Sequence, residues 1–179
     1  MLIENVIGSA PSVLIFTPTY SEYEGACRLV GADIHEFCAD RNQGLKWDIS
    51  KACDQIRDTS ELRLVFLCNP NNPTGVYLDA ESVTEIAFAC SSVQALLIID
   101  EAYLNFVDDP WDSLGVLALG NIILLRSMTK DYGLTGLRLG YSLASSSITT
   151  RLRYFQPDWS VNTLAQIAGC LLYTSDAAD

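Results

Sequence analysis

Four short apolar runs, each followed at once by a polar motif, constrain the fold of this chain more than any other feature. The runs are residues 12–17, 62–67, 95–99 and 121–125. Their length and composition are typical of buried strands, and stretches with helical character separate them. This alternation predicts an α/β fold, with a mostly parallel sheet between two layers of helices.

The polar motifs bring chemically different side chains to one edge of the predicted sheet. Ligands of an open parallel sheet bind just beyond the carboxyl ends of the strands, so these side chains are expected to share a site. The motifs supply an aromatic ring, an amide, a carboxylate with a phenol, and an amine: Tyr20, Asn72, Asp100 with Tyr103, and Lys130. The set suits pyridoxal phosphate, which needs a lysine to hold its aldehyde and an anion beside its ring nitrogen.

Partners for the other groups of this cofactor occur in the same motifs. The ring oxygen needs hydrogen-bond donors, which Asn72 and Tyr103 can provide. The phosphate needs hydroxyl groups and a guanidinium fork. Three residues can supply them: Ser127, Thr129 and Arg138. A lysine amine becomes nucleophilic where desolvation or a cationic neighbour removes its proton, and we expect apolar surroundings and the nearby arginine to act on Lys130 in this way.

Four segments resemble, in order and spacing, the motifs of the fold type I, class I/II pyridoxal-phosphate-dependent aminotransferases. They are Asn69-Pro-Asn-Asn-Pro-Thr-Gly75, Asp100-Glu-Ala-Tyr103, and Ser127-Met-Thr-Lys130 with Gly136-Leu-Arg-Leu-Gly-Tyr141. Any one of these strings alone is weak evidence, but their joint occurrence is specific. The resemblance implies the fold of the large cofactor-binding domain of this family, a three-layer α/β/α sandwich that is incomplete here.

The resemblance also implies a role for each matched residue. Asp100 would pair with the pyridine nitrogen, and Lys130 would form the internal aldimine. Asn72 and Tyr103 would bind the ring oxygen, and Tyr20 would stack on the ring. The phosphate would be held by Ser127, Thr129 and Arg138. The catalytic residues would be Lys130, Asp100 and Tyr103.

Within this superfamily, the chain is most similar to histidinol-phosphate aminotransferases and to threonine-phosphate decarboxylases. Residues 100–103 and 161–166 look more like the transaminase, whereas residues 18–23 and 159–162 are also familiar in the decarboxylase. Loss of the substrate Cα proton, with free Lys130 as general base, leads to transamination, and loss of carboxylate leads to an amine. The sequence leaves both reactions open.

The extent of the resemblance suggests part of a longer enzyme. Residues 1 to about 169 resemble an interior portion of the large domain, and the family's small C-terminal domain is expected to be absent. Residues 170–179 look like a tail translated from a sequencing adaptor, which is excluded from fold reasoning. Full-length relatives would be homodimers. A non-catalytic remnant that binds the cofactor is the alternative for a chain this short.

Composition agrees with a small-molecule enzyme of the cytoplasm. The net charge of −11 counts against a nucleic-acid partner, which would demand a basic face. No apolar run approaches the roughly 18 residues of a membrane helix, and residues 1–8 make a poor signal peptide. The scattered cysteines form no C-x-x-C pair, and His35 is the single histidine, so no metal site is expected. The expected substrates are an amino donor and a 2-oxo acid.

Several residues near the motifs are expected to have no part in the chemistry. Tyr23, Tyr132 and Tyr141 are interpreted as packing residues or as residues behind the site. Cys68 is interpreted as a core residue. Glu101 follows the acid that pairs with the ring nitrogen and is given no catalytic role.

Overall fold

Six strands form one sheet in the part of the chain that the structure describes. The computed structural model describes the backbone of residues 11–176 and the side chains of residues 11–172. The strands are β1 (Ser12–Thr17), β2 (Asp33–Cys38), β3 (Leu62–Cys68), β4 (Leu96–Asp100), β5 (Ile122–Ser127) and β6 (Gly140–Ala144). Their order across the sheet is β2-β1-β3-β4-β5-β6. The predicted α/β fold is confirmed.

Helices connect or follow the strands, as the alternating sequence pattern predicts. They are α1 (Glu22–Leu29), α2 (Ile49–Asp58), α3 (Ala80–Ser92), α4 (Ser146–Tyr154) and α5 (Thr163–Asp176). In α3, Val83, Ile86, Ala87 and Cys90 are buried at the spacing of a single helix face. None of the described helices has the length and apolar character needed to cross a membrane.

The pairs formed among strands β1 to β5 are all parallel, and β6 pairs with β5 in the antiparallel direction. Residues 128–139 connect these last two strands through a loop that contains one short 3₁₀ turn, Thr135–Leu137. A parallel pairing would require a crossover connection, usually helical. After this loop, the chain runs back along β5 as an antiparallel edge strand. Because all other strand pairs are parallel, the prediction of a mostly parallel sheet is confirmed.

The sheet separates two apolar clusters. Side chains alternate between the two faces of a strand, so Leu14 and Phe16 of β1 face one cluster while Val13 and Ile15 face the other. The first cluster includes buried residues of α2 and α3, and the second includes residues of α1 and α4. With both faces covered, the polar motifs are left at the strand ends.

Two predictions concern the chain termini. Residues 170–176, predicted to be part of an adaptor-derived tail, continue the helix that begins at Thr163. A helical conformation does not test their origin, which stays a prediction, as do the domain boundaries. The N-terminal residues 1–8 and the last three residues of the predicted tail lie outside the described residues.

Candidate functional site

A cavity of about 350 Å³ lies at the carboxyl ends of the parallel strands. All of the residues predicted to bind the cofactor line it: Tyr20, Asn72, Asp100, Tyr103, Ser127, Thr129, Lys130 and Arg138. They come from the segments that follow β1 and β3 and from the ends of β4 and β5 with the loops beyond them. The structure thus brings together side chains that are more than 100 residues apart in sequence.

Asp100 ends β4, where it lies beside Cys68 of β3 and Leu125 of β5. Both oxygens of its carboxylate accept a hydrogen bond. The backbone N–H of Ala102 donates to Oδ1 at 3.0 Å, and the Tyr23 hydroxyl donates to Oδ2 at 2.6 Å. Burial, and then the neighbouring Asp100 carboxylate, raise the pKa of Tyr23 far above its usual value. Tyr23 therefore keeps its proton and acts as the donor.

Lys130 follows β5 and extends over an aromatic ring. Its Nζ lies 5.6 Å from the centroid of the Tyr103 ring, a separation compatible with a cation–π contact. The lysine is exposed in the described part of the chain. The expectation that its surroundings make the amine nucleophilic stays a prediction.

Two hydroxyl groups and a guanidinium lie near the lysine in sequence. The Ser127 and Thr129 hydroxyls are 2.7 Å apart, and the backbone N–H of Thr129 donates to Ser127 Oγ at 3.2 Å. Arg138 has a left-handed backbone with φ of 54°, which is uncommon for a residue with a Cβ. Its Nη1 donates to the Thr135 carbonyl at 3.1 Å. This grouping combines the hydroxyl and guanidinium donors that phosphate binding requires.

The asparagine-rich loop after β3 is fixed by two buried asparagines. Asn69 exchanges hydrogen bonds with the backbone of Leu78, at 3.1 Å and 2.7 Å. Asn71 donates to the Pro18 carbonyl at 2.9 Å and accepts from the Thr19 hydroxyl at 2.8 Å. Asn71 therefore ties this loop to the segment after β1, and Asn72 is left to line the cavity.

Comparisons with known proteins agree on one family. The sequence model of aminotransferase class I and II matches residues 6–175. The chain belongs to this family. A histidinol-phosphate aminotransferase of Ruminiclostridium cellulolyticum is 30% identical over 175 residues, which are 96% of this chain and 47% of that protein. A threonine-phosphate decarboxylase of Salmonella typhimurium is 38% identical over 160 residues, 87% of this chain and 43% of that protein.

A solved structure supports the same relationship. The histidinol-phosphate aminotransferase of Clostridium acetobutylicum superimposes with a TM-score of 0.82 and 27% identity, covering 93% of this chain and 49% of that chain. This chain thus spans about half the length of the relatives it matches.

Members of this aminotransferase family use pyridoxal phosphate, and the cavity fits that cofactor chemically. It contains one amine, one carboxylate whose oxygens are both held by donors, and a cluster of hydroxyl and guanidinium donors. The chain has three lysines, Lys46, Lys51 and Lys130. Of these, Lys130 alone lines the cavity.

Among the other residues of the cavity wall, three have side chains that can form hydrogen bonds and were not predicted to bind the cofactor: Tyr23, Cys68 and Arg126. Tyr23 was interpreted as a packing residue or as a residue behind the site, and it packs while also bonding to Asp100. The spacing of three residues between Tyr20 and Tyr23 is a signal that their two rings lie near each other, but it does not predict the bond to Asp100. Arg126 forms an ion pair with Glu101, from Nε to Oε2 at 2.8 Å. The ion pair with Arg126 indicates a structural role for Glu101.

Proposed function

We propose that this protein is a pyridoxal-phosphate-dependent aminotransferase similar to the histidinol-phosphate type, and that Lys130 is the residue that attaches the cofactor. The observation that carries the proposal is the convergence of the eight predicted residues on one cavity at the strand ends. The relatives named histidinol-phosphate aminotransferase support this reaction class. The substrates would be a small amino donor and a 2-oxo acid acceptor.

Each cavity residue has a definite task in this proposal. When bound, pyridoxal phosphate supplies an electron sink for a substrate carbanion. Asp100 holds a proton at the ring nitrogen, and Asn72 and Tyr103 donate to the ring oxygen. Tyr20 covers one face of the ring. The phosphate is held by three donors: Ser127, Thr129 and Arg138. Lys130 would hold the cofactor through its amine, and the free amine would serve as the base for the substrate Cα proton.

Replacing the lysine tests the proposal. The wild-type chain should acquire visible absorbance with pyridoxal phosphate and a covalent adduct after borohydride reduction, because both need an amine bonded to the aldehyde. Lys130→Ala should lose both signals. Lys51→Ala is the matched control, since Lys51 is exposed on α2 and pairs with Asp48 at 3.1 Å, outside the cavity. If absorbance and adduct persist in Lys130→Ala, the assignment of this lysine fails.

The threonine-phosphate decarboxylase reaction is the second candidate, because the Salmonella typhimurium relative has the higher identity of the two sequence relatives compared, 38% against 30%. Both candidates share the same cofactor residues and differ in which substrate bond breaks. Release of carbon dioxide from O-phosphothreonine would favour the decarboxylase. Formation of a keto product from histidinol phosphate and 2-oxoglutarate would favour the transaminase.

The proposal includes a homodimer of the full-length form, expected from the family resemblance, and a cytoplasmic location, expected from the composition. Light scattering coupled to size-exclusion chromatography of the full-length protein measures the assembly state directly. A full-length monomer under conditions that saturate the cofactor site would contradict the dimer.

A further inference from the structure

We infer that Tyr23 is a positioning residue for the cofactor, because its hydroxyl fixes the carboxylate of Asp100 against the ring nitrogen. The inference rests on the proposed function, since it requires that Asp100 faces the cofactor. Under this inference, Tyr23 packs in the core and also acts on the cofactor through Asp100.

The hydrogen bonds of Asp100 are the first support. One carboxylate oxygen accepts from the backbone N–H of Ala102, which the chain fixes next to β4. The other accepts from the Tyr23 hydroxyl at 2.6 Å, a short bond of the kind expected for an O–H donor and a charged acceptor. Two donors on different oxygens restrict rotation of the carboxylate about its last bond. Each oxygen keeps a second lone pair, so an approaching N–H can still be accepted.

The placement of Tyr23 itself is the second support. Tyr23 is 7% exposed. Its ring stacks on Phe66 of β3 with centroids 5.1 Å apart and planes 9° apart. The Tyr20 and Tyr23 rings make a T-shaped contact, with centroids 5.7 Å apart and planes at 79°. Tyr23 therefore contacts both Asp100 and the aromatic residue proposed to cover the cofactor ring.

The protonation of Tyr23 is the third support. Burial and the nearby Asp100 carboxylate raise its pKa well beyond the physiological range. The phenol is thus a permanent donor to the Asp100 carboxylate. A charged carboxylate is the form that holds a proton at the ring nitrogen of bound pyridoxal phosphate.

The test compares two cofactors and two variants of the full chain. One cofactor is pyridoxal phosphate, and the other is its 1-deaza analogue, in which carbon replaces the ring nitrogen. Tyr23→Phe keeps the ring contacts with Phe66 and Tyr20 but removes the hydroxyl. Tyr77→Phe is the matched control, because Tyr77 is a partly buried tyrosine that does not line the cavity. Dissociation constants are measured by absorbance or fluorescence titration.

Tyr23→Phe should weaken pyridoxal phosphate binding about tenfold to a hundredfold, as expected for losing one hydrogen bond to a charged group. Binding of the 1-deaza analogue should change less than about twofold, because that analogue has no ring nitrogen for Asp100 to hold. Tyr77→Phe should alter neither constant. In an Asp100→Asn background, Tyr23→Phe should have no further effect on pyridoxal phosphate affinity.

Three results would overturn the inference while leaving the proposed function intact. They are unchanged affinity in Tyr23→Phe, an equal loss for both cofactors, and loss of the folded far-ultraviolet circular dichroism signal. The last two would assign Tyr23 a structural role only. If the wild-type chain binds no pyridoxal phosphate, the proposed function fails first and the inference fails with it.

Discussion

Asp100 and Glu101 are adjacent acids with different surroundings. Successive side chains of a strand point to opposite faces, so the residues at the end of β4 diverge. Asp100 lines the cavity and accepts from Tyr23, whereas Glu101 is buried against Arg126. The side chain of Glu101 is 2% exposed and that of Arg126 is 25% exposed. One acid is therefore available to a ligand, and the other is committed to an internal ion pair.

This ion pair leads to a prediction about stability. Arg126→Met would leave the Glu101 carboxylate buried without its partner, which costs about 3 kcal/mol of unfolding free energy. Urea denaturation measures the loss. The double variant Arg126→Met with Glu101→Gln should recover part of it, because the buried charge is gone. A single variant as stable as the wild type would contradict the interpretation.

At the scale of single residues, the sequence predicted which types of side chain meet in the cavity. It did not predict the contacts between those side chains. Strand ends located Asp100 and Lys130 because polar residues directly follow apolar runs. The choice of Asn72 over Asn69 and Asn71 came from the family resemblance, since three asparagines in one loop look alike. The bond from Tyr23 to Asp100 joins residues 77 positions apart, and no local pattern encodes such a contact.

At the scale of elements, the strands were easier to predict than their ends. Buried parallel strands appear as continuous apolar runs, so β1, β3, β4 and β5 were found within one or two residues. The predicted strand ends differ from the observed ones because backbone pairing extends into polar residues, to Asp100 in β4 and to Ser127 in β5.

The start of α3 gives a pH-dependent prediction. Asp79 caps this helix, its Oδ1 accepting from the backbone N–H of Ser82 at 2.8 Å, and this bond lowers the pKa of the Asp79 carboxyl. A lowered pKa in the folded state means that the stabilisation is present above the unfolded pKa of about 3.9 and is lost as the pH falls through the folded value.

Asp79→Ala should therefore cost about 1 kcal/mol of unfolding free energy at pH 7. The difference from wild type should shrink steadily once the pH falls below about 4, where the capping carboxylate becomes protonated. Chemical denaturation at several pH values measures this difference. An effect that does not vary with pH would show that the charge of Asp79 does not matter to the cap.

At the scale of the whole molecule, an acidic chain carries a cationic cavity. The net charge is −11, with 11 lysines and arginines in total. Three of these cations line the cavity: Arg126, Lys130 and Arg138. The Asp100 carboxylate also lines the cavity, so three cations face one anion there. A recess with an excess of positive charge concentrates anionic ligands, even on a protein of negative overall charge. The arrangement suits a phosphorylated cofactor.

The proposed attachment of pyridoxal phosphate to Lys130 can be located on the chain. The mixture of chain and cofactor is reduced with borohydride, the protein is digested, and the modified lysine is identified by mass spectrometry. We expect stoichiometric modification of Lys130, with Lys46 and Lys51 unmodified at equal cofactor concentration. Modification spread evenly over the three lysines, or confined to Lys46 or Lys51, would rule out Lys130 as the attachment site.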